Sequence, residues 1–167
     1  MIEIREMERA DIRRVHDINQ ENVPAVGSET FDDLGDIFDQ CTIALVAVDW
    51  QRDGYIAGFC MCMPPGTTYD SPNYLFFVDR YDDFVYLDRV AITAEYQGRG
   101  IGPMLYREVE RRTTAPYFTL EVNVKPLNEG SLRFHTREGF EEVAQLETRP
   151  GKIVSLMVKR LDAGHPD

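Results

Sequence analysis

The chain has 167 residues, 43% hydrophobic and 28% charged, which suits one folded domain with a real core and excludes a disordered chain. No run approaches the ~20 apolar residues of a membrane span, and Met1 to Glu6 lacks the basic head and apolar core of a signal peptide, so a cytoplasmic location is expected. A formal charge of −11 argues against nucleic acid as a partner, because neutralising phosphates needs a basic surface.

The acidity is uneven. Residues 1–93 carry 18 acids against 7 bases, whereas residues 94–167 carry 11 of each. The second part holds Arg99, Arg107, Arg111, Arg112, Arg133 and Arg137; the first holds runs such as Glu29 to Asp33. Two interpretations stand: one half for an anionic ligand and one for a cationic partner, or solvated helix faces that aid solubility. The three cysteines fit a reducing compartment, and Cys60 and Cys62 share a strand face as buried packing. His16, His135 and His165 show no zinc spacing, so no metal is expected.

In chain order, Ile2-Glu3-Ile4-Arg5 alternates as a first strand. Ile12, Val15 and Ile18 predict a helix over Arg9 to Asn19, broken by Pro24 and Gly27. Thr30 to Gln40 is a second helix, acidic, with Phe31, Leu34, Ile37 and Phe38 as its apolar stripe. Thr42 to Trp50 and Tyr55 to Met63 form a hairpin around Gln51 to Gly54. Residues 67–81 read as a long loop, the kind that serves as a lid or substrate wall. Phe84 to Ile92 is the central strand, and Ile101, Leu105 and Val109 mark a helix. Phe118 to Val124 is a strand, and Pro126 to Asn128 opens a helix that ends at Gly139. Glu141 to Glu147 and Ile153 to Lys159 make a final hairpin around Pro150-Gly151. With no repeat and no linker, the expectation is one α+β domain over residues 1–167.

Gln97-Gly98-Arg99-Gly100-Ile101-Gly102 lies between the central strand and a helix. That order aims free backbone amides and the positive end of a helix dipole at one spot, an anion site. A P-loop needs Lys-Ser/Thr at its end, and Pro103-Met104 stands there. A dinucleotide fold needs G-x-G-x-x-G directly after a first strand; Pro103 occupies the third glycine's place, although Glu121 sits where a ribose-binding acid belongs.

Gln97-x-x-Gly100-x-Gly102, following Leu87-Asp88-Arg89-Val90-Ala91-Ile92, resembles the acyl-CoA loop of the GNAT superfamily of N-acyltransferases. Asn128 to Phe140 is similar to that superfamily's Asn-x-x-Ser/Ala-x-x-Phe-Tyr-x-x-x-Gly-Phe helix, with Leu120 to Asn123 as the intervening strand. The motif resemblance covers residues 84–142. It implies a twisted, mostly antiparallel sheet flanked by about four helices, with a splayed strand pair that admits the CoA arm. Gln97, Gly98, Arg99, Gly100, Ile101, Gly102 and Pro103 would then cradle the pyrophosphate. The pantetheine arm would pair with backbone around Val90, Ala91 and Ile92. Asn128 would reach that arm from the next helix, with Ser131, Phe134 and His135 completing the cofactor side.

Acyl transfer to an amine needs a neutral amine, an oxyanion donor and, where required, a proton for the thiolate. The resemblance makes a central-strand backbone amide, that of Val90 or its neighbour, the oxyanion donor. His135 stands where many members carry a proton-donating tyrosine; it is either the general acid or a histidine that packs near the thiol. Asp88 is either the base or a salt-bridge partner of Arg89 or Arg133, and Glu121 is a second option for the base. The acceptor pocket is expected from Asn22 to Gly27, Met61 to Pro64, and Tyr69, Tyr74, Tyr81 and Phe84, aromatics that equally suit a core or a dimer surface.

The function expected from this resemblance is transfer of an acetyl group from acetyl-CoA to a small primary amine. The rivals are a lysine or N-terminal protein acetyltransferase, a non-catalytic acyl-CoA sensor, and a dinucleotide oxidoreductase. Homodimerisation through the final strands is common in the superfamily.

Overall fold

The computed structural model describes residues 1–161, so His165 lies outside the described residues. The chain divides into two compact units, Met1–Met63 with Leu87–Thr113, and Pro64–Tyr86 with the segment that begins at Thr114.

In the first unit, the alternation after Met1 makes strand β1 (Ile2–Glu6). It pairs antiparallel with β2 (Ile43–Asp49), which pairs antiparallel with β3 (Tyr55–Met63) through a bulge at Ala47/Val48. Strand β4 (Val85–Ile92) continues the order β1-β2-β3-β4. Gly58 on β3 permits the close approach: a Cβ there would meet the Ile92 side chain at 2.7 Å and the Ala91 carbonyl at 3.0 Å. Helix α1 (Ile12–Glu21) follows a 3-10 turn and buries Ile12, Val15 and Ile18. Its entry is fixed by Asp11, whose carboxylate accepts from the Glu8 amide at 2.8 Å and from Arg5 at 2.8 and 3.0 Å. Helix α2 (Phe31–Gln40) starts where the Thr30 hydroxyl accepts from the Asp33 amide at 3.0 Å. Leu45, Val46, Phe59, Cys60, Met61 and Cys62 are fully buried, each large side chain contributing roughly 1.5–3 kcal/mol. Burial pushes the Cys41 and Cys62 thiols up, as suits packing residues.

The second unit holds helix α3 (Pro72–Arg80), the first two residues of β4, strand β5 (Tyr117–Lys125), helix α5 (Glu129–Arg137), and strands β6 (Glu141–Arg149) and β7 (Lys152–Arg160). The parallel β4–β5 ladder consists of Val85↔Phe118 and Tyr86↔Thr119. Strand β5 pairs antiparallel with β7, and β7 with β6, the hairpin turning at Gly151 with φ 84. Tyr74, Phe77, Phe84 and Tyr86 pack with ring centroids 5.3–6.2 Å apart.

Among the described residues, seven strands, mostly antiparallel, with helices between them match the expected class. One element differs. Residues 67–81 are not one loop: Pro72 sits in the first turn of α3, and Tyr74 and Phe77 form its buried side. The tyrosines, aspartates and proline around it read as loop composition, but burial of two aromatic faces decides for helix. Among the described residues α3 brings the helices to five, in keeping with the expected sheet and flanking helices, and α4 (Ile101–Arg112) lies in the first unit.

Candidate active site

The glycine loop grows out of β4 through a short 3-10 turn, Ala94–Tyr96. Tyr96 is buried and anchors it, while the Gln97 side-chain amide donates to the Ile92 carbonyl at 3.1 Å and ties the loop to the strand end. Gly98 and Gly100 adopt φ 80 and 81, the left-handed region that favours glycine. A Cβ at either position would meet nothing within 4 Å, so the space in front of the loop is open. Gly100 caps α4, and no side chain caps the helix. Helical geometry gives the Ile101 and Gly102 amides no carbonyl behind them, and Pro103 has no N–H to leave unpaired. Met104 is the first to bond back, to the Gly100 carbonyl at 3.2 Å. Arg99 lies over the Tyr96 ring at 4.7 Å. Open space, uncapped amides and the helix dipole fit a phosphate-bearing ligand.

On β4, Ala91 is buried and Val90 and Ile92 are half-buried. Asp88 is an ion-pair partner: its Oδ2 accepts from Arg89 Nε at 2.7 Å. Arg89 is 7% exposed, and its other guanidinium nitrogens are engaged as well. Its Nη1 donates to Asn19 Oδ1 at 3.0 Å and to the Gly27 carbonyl at 3.2 Å, and its Nη2 to Glu29 Oε2 at 2.9 Å. Burial opposes the Arg89 charge, but Asp88 and then Glu29 outweigh it, and the guanidinium's pKa is raised. No periodicity points to this cluster; its one sequence signal is the charged pair Asp88-Arg89 inside the apolar run of β4.

In the second unit, the Tyr86 hydroxyl, itself fully buried, donates to Glu121 Oε1 at 2.7 Å. Asn128 is the N-cap of α5, its Oδ1 accepting from the Ser131 amide at 3.2 Å. Ser131, Phe134 and His135 follow at helical spacing, so they share one side of α5. His135 is 6% exposed, between the rings of Phe134 at 5.0 Å and Phe140 at 5.5 Å. Its Nδ1 lies 2.8 Å from the Ser131 carbonyl and 3.3 Å from the Ser131 hydroxyl. A carbonyl only accepts, so Nδ1 carries the proton and Nε2 presents a lone pair. Burial lowers the His135 pKa, against the opposing pull of the Ser131 bond and the Glu138 charge. The ring is neutral near pH 7.

Of the aromatics expected at an acceptor pocket, Tyr74 and Phe84 are core residues at 1% exposure. Tyr81 packs on Tyr117 at 5.0 Å, and Tyr69 sits edge-on to Tyr74. Among the described residues no group of histidine, cysteine and carboxylate side chains is placed to hold a metal ion, and no helix is long and apolar enough to cross a membrane.

The family model described as "Acetyltransferase (GNAT) family" matches residues 12–140. No curated protein sequence matches the chain. Among solved structures, the ribosomal-protein-S18-alanine N-acetyltransferase from Escherichia coli is similar at TM-score 0.73 and 18% identity, over 100% of this chain and 99% of that one. NAA60 from Arabidopsis thaliana, solved with acetyl-CoA, is similar at TM-score 0.77 and 19% identity, over 96% of this chain and 99% of that one. The protein yncA from Salmonella typhimurium, solved with its cofactor acetyl-CoA, reaches TM-score 0.69 at 18% identity, over 97% of this chain and 95% of that one. At these identities the likeness is one of fold. The family match, which spans the glycine loop, the strand before it and the whole Asn128 helix, carries the assignment: this chain belongs to the GNAT acetyltransferase family.

Proposed function

We propose that this enzyme transfers the acetyl group of acetyl-CoA to the primary amine of a small molecule by direct attack on the thioester. The observation that carries this reading is the Gly98–Gly102 loop, with its two left-handed glycines, uncapped amides and open approach. Those amides hold the pyrophosphate, and the backbone of Val90, Ala91 and Ile92 pairs with the pantetheine arm. In the second unit, Asn128, Ser131 and Phe134 of the α5 motif are the residues that the family resemblance gives to the cofactor. The Val90 amide faces the thioester oxygen and stabilises the oxyanion. The acceptor rests against the 22–30 segment of the first unit.

The amine's lone pair forms the new C–N bond, the C–S bond breaks, and sulfur departs with the pair. Two protons must move. Glu121, held by the Tyr86 hydroxyl, takes the first from the incoming ammonium. Asp88 is less suited, because its carboxylate is occupied by Arg89. His135 Nε2 takes the second from the nitrogen after attack and returns it to the departing sulfur. A neutral imidazole begins as the acceptor and becomes the general acid only after that step. This sequence uses the ring in the protonation state that burial favours.

A second reading, acetylation of a lysine or N-terminal amine of a protein, draws support from the acidic α2, where Asp32, Asp33, Asp36 and Asp39 suit a basic peptide. Thiol release from acetyl-CoA, measured against polyamines, aminoglycosides, amino acids, lysine peptides and free N-terminal peptides, tests both. Release with a small amine supports the first reading, and release only with peptides replaces it by the second. CoA binding without release on any amine leaves a sensor, and no CoA binding overturns the proposal.

A further inference from the structure

Residues 22–30 join α1 to α2 without regular secondary structure, yet they are held from two sides. From α1, Asn19 Nδ2 donates to the Gly27 carbonyl at 3.0 Å, and Gln20 Oε1 accepts from the Glu29 amide at 3.1 Å. From β4, Arg89 reaches the Gly27 carbonyl and Glu29 while its Nε holds Asp88, the next residue back along the strand. One guanidinium thus ties the segment to the strand position beside Val90. Buried ion pairs contribute little net stability relative to apolar packing, but they fix one geometry. Arginine suits that task, because its rigid fork serves several acceptors at once and lysine has one ammonium.

We propose that Arg89 is a positioning residue for the acceptor, setting the 22–30 segment in register with the strand that carries the Val90 amide. The inference rests on the reading that this segment walls the acceptor site. It assigns Asp88 to orienting Arg89 rather than to proton transfer, and it makes Glu29 the second half of the anchor.

The test combines steady-state kinetics with hydrogen exchange on Arg89→Lys, Arg89→Met, Glu29→Ala and Glu29→Gln. The amine is the one that releases thiol fastest in the panel above. Losing hydrogen bonds to a charged group predicts a rise of about tenfold in amine KM for both Arg89 variants and Glu29→Ala. Acetyl-CoA KM stays within about twofold, and Glu29→Gln, which still accepts a hydrogen bond, stays within about threefold of the parent. Amide exchange accelerates across residues 22–30 and not across the glycine loop. A merely structural role would move both KM values together or neither. Faster exchange of the segment with an unchanged amine KM overturns the positioning role and the acceptor-wall reading with it. Unchanged exchange overturns the anchor itself and leaves the wall reading standing. If Arg89→Met does not fold, the lysine and Glu29 variants decide the same question.

Discussion

His135 donates from Nδ1 to the Ser131 carbonyl at 2.8 Å, one helical turn back along α5. This bond fixes the tautomer and leaves Nε2 as an acceptor. His135→Phe is therefore expected to keep CoA binding and lower kcat by about 10²-fold, the usual size of a general acid–base contribution. Full kcat in that variant removes His135 from the proton path.

The pH dependence follows from the same ring. Burial lowers the His135 pKa, so the native protein holds fewer protons than the unfolded chain between that lowered value and the free histidine value of about 6.5. In that window stability rises with pH; it is fully present above the unfolded value and is lost as pH falls from there through the lowered native value. Activity should climb over an acid limb that lies below the ordinary histidine range. Melting curves and pH–rate profiles check both, and the limb should vanish in His135→Gln.

Tyr86 and Glu121 form a second pair that variants can separate. Tyr86→Phe leaves the Glu121 carboxylate without a 2.7 Å donor, at a cost of roughly 1.5–3 kcal/mol by chemical denaturation. Glu121→Gln retains an acceptor for the hydroxyl and should fold normally. Its kcat/KM with the amine should fall by about 10²-fold at neutral pH and recover as alkaline pH deprotonates the amine directly. A flat ratio to the parent across pH would exclude Glu121 as the base.

The glycine loop offers a test of ligand geometry. Gly100→Ala meets no steric obstacle at its Cβ, but φ 81 costs an L-residue about 1–2 kcal/mol. The expected result is a small loss of melting temperature and a CoA Kd weakened by about tenfold, as the loop shifts away from its anion-binding shape. Calorimetric titration with CoA measures it; unchanged affinity would detach the loop from CoA binding.

Asp11 gives a prediction independent of the active site. Burial pushes its carboxyl up, but Arg5 and the Glu8 amide prevail and hold it below the usual aspartate value. A depressed carboxylate stabilises above its unfolded pKa of about 3.9, and that stability is lost as pH falls through the lower native value. Asp11→Asn should cost about 1 kcal/mol at pH 7, and the difference from the parent should shrink in acid.

Much of the architecture was legible because its signals are local. The β4–loop–α4 passage announces itself by an apolar run, spaced glycines and a helical stripe, and α5 by Asn128 at its cap and Gly139 at φ 101 beyond its end. Both hairpins follow from strand-forming runs on either side of turn residues. The sequence by itself therefore determined the order of the strands, the other helices and the family. Only the tertiary structure decided α3, where burial of Tyr74 and Phe77 overrides a loop-like composition. It also decided the partners of Arg89, since Asn19, Gly27 and Glu29 lie 60 to 70 residues away. The protonation state of His135 depends on it too. Pattern along a chain reports the local preference of each segment, whereas desolvation and ion pairing depend on which distant groups folding brings into contact.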